Sequence, residues 1–125
     1  MVIGTGIDII ESGRVEAAIK RWGERFLKRI YNPAERAYCE RKGPAKFRSY
    51  AARFAAKEAF LKAIGTGLSN GYAWQDAWVV SDRSGKPSLA FSSKAKKKMK
   101  SLGAKHCTLS LTHSKDLAVA MVILD

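Results

Sequence analysis

Acidic residues are scarce in this chain of 125 residues: eleven Asp and Glu stand against twenty-three Lys and Arg, a formal charge of +12. A field of that sign excludes basic partners and attracts something anionic: nucleic acid, a phosphate-rich ligand, an acidic protein or an anionic membrane. Cysteine is nearly absent. Cys39 and Cys107 share no metal-like or redox-like spacing, which leaves two reduced thiols as the expectation. Long apolar runs are missing too. "LAVAMVIL" is strand-length, far short of the roughly 20 residues a membrane helix needs. The opening "MVIGTGIDII" lacks a basic n-region, so no signal peptide is expected and a cytoplasmic location is. No Ser/His/Asp or Cys/His set, Walker sequence, zinc spacing or dinucleotide fingerprint can be found.

What is present reads as one domain over residues 1–125, of ordinary hydrophobic content. "VIGTGIDII" is a strand with Ile3, Thr5, Ile7 and Ile9 on one face and Val2, Gly4, Gly6, Asp8 and Ile10 on the other. Ser12 is the expected N-cap of a helix through about Arg21, interrupted by Gly23, with a second helical piece in "ERFLKRI". "NPAE" opens another helix, with Asn32 as cap and Pro33 at the first position. Gly43 and Pro44 close it, and a long helix follows to about Ile64, stopped by "GTG". Strands are expected in "AWVVSD" and "PSLAF" around the turn "RSGK". A basic helix, "KAKKKMKSL", follows a Ser92 or Ser93 cap, and a hairpin from "TLSLTHS" and "LAVAMVIL" ends the chain. Strand, helices, two strands, helix, two strands is an α+β order: a small antiparallel sheet packed on a long central helix.

The long helix carries the chemistry. "RFAAKEAFLKAIGTG" puts Phe54, Leu61 and Ile64, with Tyr50 one turn earlier, on a large apolar stripe and covers the far side with alanines. Two charged pairs, Arg53/Lys57 and Glu58/Lys62, sit among them. A surface i,i+4 pair is the ordinary reading of Glu58 and Lys62, but a carboxylate against so apolar a surface costs free energy without a partner or metal. Asp8 has the same problem on its strand, with Gly4 and Gly6 leaving space for a ligand beside it. One Asp and one Glu with phosphate oxygens and water would suit Mg²⁺, and Lys62 could neutralise phosphate charge. The ordinary readings of the rest are a core residue for His113, a solvated tip for "SGK" and a wet helix face for "KAKKKMK".

Taken in order, "GTGIDII" followed by Glu11, "RFAAKEAFLKAIGTG", "DRSGKP" and "LSLTHSKDLAVA" resemble the AcpS-type 4′-phosphopantetheinyl transferases, the holo-[acyl-carrier-protein] synthases, over nearly the whole chain. The resemblance implies that family's fold. It also implies Mg²⁺-dependent transfer of 4′-phosphopantetheine from coenzyme A to a serine of apo-acyl carrier protein, releasing adenosine 3′,5′-bisphosphate. Asp8 and Glu58 fall on the metal positions and Lys62 on the phosphate-side lysine. Gly85, Lys86, Pro87 and His113 fall on regions associated with coenzyme A. Homotrimers with active sites at subunit boundaries are the implied assembly. Glu58, directly or through a water, is the candidate acceptor of the serine proton. Arg14, Arg21, Arg25 and Phe26, with Lys20 and Trp22, are candidates for docking the acidic carrier protein. No nucleic acid or membrane partner is expected on this reading. The rival, a non-enzymatic basic domain binding nucleic acid or another polyanion, accounts for the charge and not for Asp8 and Glu58 among apolar neighbours.

Overall fold

A computed structural model describes residues 1–125. Strand β1 spans Gly4–Glu11 and three helices follow, α1 (Ser12–Trp22), α2 (Glu24–Ile30) and α3 (Pro33–Glu40). The long helix α4 occupies Lys46–Ala63; then come β2 (Ala77–Ser81), β3 (Pro87–Phe91), α5 (Ser93–Ser101), β4 (Cys107–His113) and β5 (Leu117–Leu124). All strand pairings are antiparallel, in two sheets: β1-β5-β4 and the hairpin β2-β3.

Helix α4 is buried on nearly every side, as an all-round apolar helix must be. Its alanine side lies so close to β1 that the glycines there have no free space. A Cβ on Gly6 would meet the Ala59 carbonyl oxygen at 1.8 Å, and one on Gly4 the Ala63 oxygen at 2.3 Å. The expected opening for a ligand beside Asp8 is therefore filled by helix backbone. The glycines serve the approach of strand to helix.

The N-terminus of α3 forms as read, with reciprocal hydrogen bonds between Asn32 and Glu35 closing a capping box. Ser92 caps α5 by accepting from the Ala95 amide. Ser12 does not cap α1. It is the first helical residue, and its buried hydroxyl has no partner, because the β1 ladder continues through Glu11 and delays the turn into the helix.

The sequence left one internal tie unread. Lys57 and Glu35 form a fully buried ion pair at 2.8 Å. The Lys57 ammonium also donates to the carbonyls of Ala77 and Trp74. Glu35 accepts from the amides of Asn32 and Val79. This one pair locks α4, α3 and the start of β2 together.

The sheet's outer face stays apolar and open. Ile7 and Ile9 are 62% and 61% exposed, and Met121, paired with Ile7 across the ladder, is 42% exposed.

Candidate active site

Asp8 enters the site from the inward face of β1 and Glu58 from α4, and the close strand–helix contact brings them together. Both line a cavity of about 350 Å³ with Ile9, Ile10, Arg14, Val15, Phe26 and Phe54. Lys62, one turn beyond Glu58, does not form the surface pair of the ordinary reading with it. Its ammonium crosses to β1 instead, to Asp8 Oδ1 at 3.1 Å and the Ile7 carbonyl at 3.0 Å.

Burial pushes the Glu58 carboxyl above its ordinary value of 4.5, and the negative charge of Asp8 pushes it further; Lys62 opposes both. The cluster thus holds more negative charge than its one ammonium offsets. Half-buried oxygen donors of that charge fit a hard divalent cation, with most coordination positions left to phosphate and water. There is no third metal-ligating side chain in the cluster.

A second cavity, also about 350 Å³, gathers Gly85, Pro87 and His113 from the β2-β3 turn and the end of β4. His113 follows the core face of its strand past the point where the core ends, and is exposed at the rim. The Lys86 side chain is exposed and is not among the lining residues; its amide donates to Asp82. Lys42, Arg48 and Arg53 line the same cavity beside Tyr38. Sequence reasoning missed them, having read Arg53 as part of a helical charge pair. The available signal was an arginine inside an otherwise apolar helical run. The two cavities share no lining residue.

Of the docking candidates, Arg14 and Phe26 border the Asp8/Glu58 cavity, and Arg25 and Phe26 share a neighbouring hollow with Trp22 and Arg29. Arg21 stacks on Trp22, its guanidinium carbon 4.9 Å from the ring centroid. Lys20 pairs with Glu16 at 3.0 Å.

Comparison with known sequences decides the family. The sequence model of the 4′-phosphopantetheinyl transferase superfamily matches residues 4–122. The chain belongs to that superfamily. It is similar to the holo-[acyl-carrier-protein] synthase of Solibacter usitatus, 50% identical over 125 residues covering 100% of this chain and 99% of the relative. Among solved structures it resembles the Neisseria meningitidis enzyme of that name, with TM-score 0.90, 31% identity and coverage of 100% and 99% of the two chains. It also resembles the Helicobacter pylori enzyme in complex with coenzyme A, with TM-score 0.84, 30% identity and coverage of 97% and 99%. The α+β fold is that of these synthases, and the chain is an enzyme, a phosphopantetheinyl transferase of the holo-synthase type.

Proposed function

We propose that one domain, residues 1–125, transfers 4′-phosphopantetheine from coenzyme A to a serine of an apo-acyl carrier protein, depends on Mg²⁺ and releases adenosine 3′,5′-bisphosphate. One observation carries the reading: in a chain of this family, Asp8 and Glu58 meet from two elements at one cavity with Lys62 bonded between strand and helix. Asp8 and Glu58 would hold the ion, which when bound would offset charge on the diphosphate. Lys62 adds a fixed positive charge where the departing phosphate gathers electrons. Glu58 accepts the serine proton, directly or through a water. The apolar walls, Ile9, Ile10, Val15 and Phe54, keep water from competing with the serine.

The basic cavity takes the nucleotide end of coenzyme A, with Gly85, Pro87 and His113 at its rim and Lys86 on the adjoining turn. Each active site is completed across a subunit boundary in a homotrimer, a reading supported by the two cavities sharing no lining residue. The open face of Ile7, Ile9 and Met121 is the surface such an assembly would cover. The carrier protein docks on Arg14, Arg21, Arg25 and Phe26, with the +12 charge mainly raising its on-rate. The enzyme works in the cytoplasm, without nucleic acid or membrane partners; no helix is long and apolar enough to cross a membrane.

Thermal shift separates this reading from the polyanion-binding rival. Coenzyme A should raise the melting temperature, more so with Mg²⁺, while an oligonucleotide should not. Stabilisation by the oligonucleotide alone would favour the rival.

A further inference from the structure

Two basic side chains one turn apart on α4 are treated very differently. Lys57 is 1% exposed and spends its ammonium on Glu35 and two carbonyls. Arg53, 5% exposed, has one hydrogen bond, from Nη1 to the Ser49 hydroxyl at 3.3 Å, and its Nε has no partner. No carboxylate lies within ion-pair distance of Arg53, nor of its neighbours Arg41, Lys42 and Arg48. What holds Arg53 is a ring. Its guanidinium carbon sits 3.8 Å from the Tyr38 centroid, with the Lys42 ammonium at 4.7 Å and the Arg41 guanidinium at 5.8 Å from the same ring.

We propose that Tyr38 is a positioning residue, whose ring face gathers Arg53 and Lys42 at the wall of the basic cavity and leaves the guanidinium edge free for the phosphate-bearing nucleotide end of coenzyme A. The inference rests on the functional reading above and adds a residue to it. An aromatic quadrupole attracts a guanidinium without consuming its N–H groups. A carboxylate partner would consume them, and those groups form the planar fork that matches phosphate oxygens. An arginine kept only for structure would be expected to have its donors satisfied, as Lys57 does. The Tyr38 hydroxyl, which burial alone would raise, is held below the usual phenol value by hydrogen bonding from Lys42, by the charges of Arg53 and Lys42 and by hydrogen bonding from Arg53, so the hydroxyl edge as well as the ring face gathers these two cations.

The test compares Tyr38→Leu, Tyr38→Phe, Arg53→Gln and the Tyr38→Leu/Arg53→Gln double variant by calorimetric titration with coenzyme A and by steady-state kinetics. Tyr38→Leu should weaken coenzyme A binding about 3- to 30-fold, the range of a desolvated cation–π contact. KM should rise by the same factor and kcat should stay within about twofold. Tyr38→Phe, which keeps the ring and removes only the hydroxyl that Lys42 and Arg53 approach, should lose clearly less than Tyr38→Leu, and Tyr38→Leu should add little once Arg53 is replaced. Unchanged affinity in Tyr38→Leu, equal losses in the Phe and Leu variants, or additivity with Arg53→Gln would overturn the assignment. Tyr38→Met carries the same comparison should the Leu variant fold poorly. A wild-type protein with no affinity for coenzyme A would instead sink the functional reading itself.

Discussion

Replacing Gly6 by alanine tests how the site is assembled. The new methyl carbon would lie 1.8 Å from the Ala59 oxygen, 2.8 Å from its carbonyl carbon and 2.9 Å from the Ala63 nitrogen. All three are backbone atoms of a buried helix, which cannot swing aside as a side chain would. Strand β1 must lift instead, by on the order of 1.5 Å, to reach ordinary packing distance. Overpacking of this kind costs about 1–3 kcal/mol. In a chain of this length that is a drop of roughly 3–12 °C in melting temperature. Asp8 lies two residues further along the same face, so the shift separates it from Glu58 and breaks its 3.1 Å contact with Lys62. Misplacing a reacting group by 1 Å can cost ~100-fold in rate. With Asp8 further away, Glu58 also loses one cause of its raised pKa, and its titration in the metal-free protein should move to lower pH. Thermal melts, kcat and that titration are the measurements. Gly13→Ala is the control: a methyl there meets nothing within 4 Å, and on helix α1 it should stabilise by about 0.5–1 kcal/mol. A Gly6→Ala protein with wild-type melting and wild-type kcat would refute the reasoning.

Three further outcomes are expected. Lys57→Met should destabilise by about 3–5 kcal/mol in chemical denaturation because it strands the Glu35 carboxylate in the core, and adding Glu35→Leu should recover much of that loss. Glu58→Gln should raise the melting temperature at neutral pH. A carboxyl whose folded pKa is raised costs stability once pH passes its unfolded value near 4.5, so the gain should vanish as the buffer is taken below that value. Met121→Lys, on the open sheet face, should leave the fold intact and convert the proposed trimer to monomers in analytical ultracentrifugation; an unchanged assembly would remove that face from the proposed subunit contact.

Much of the fold was legible because its signals are local. Asn32, Pro33 and Glu35 announce a helix start within four residues, and period-two alternation separates Ile7 and Ile9 from Gly6 and Asp8. The acidic pair was legible for a different reason, the free-energy cost of a carboxylate among apolar neighbours. What escaped depends on partners distant in sequence. Nothing near Lys57 signals Glu35. Nothing near Lys62 signals that it crosses to Asp8, a strand whose approach is set by missing side chains. Likewise Arg53 reads as half of a helical charge pair with Lys57 until Tyr38 from another helix is laid against it. Ser12 misled because a residue suited to capping was drawn into the helix by the strand ladder before it.

The most direct test is mass spectrometry of an apo-acyl carrier protein after incubation with this protein, coenzyme A and Mg²⁺. The wild type should add one phosphopantetheine-sized mass to the carrier, and Asp8→Ala and Glu58→Ala, each shown folded by circular dichroism, should add none. No mass gain with the wild type, or full transfer by either variant, would contradict the claim that these two carboxylates together hold the reacting diphosphate's metal.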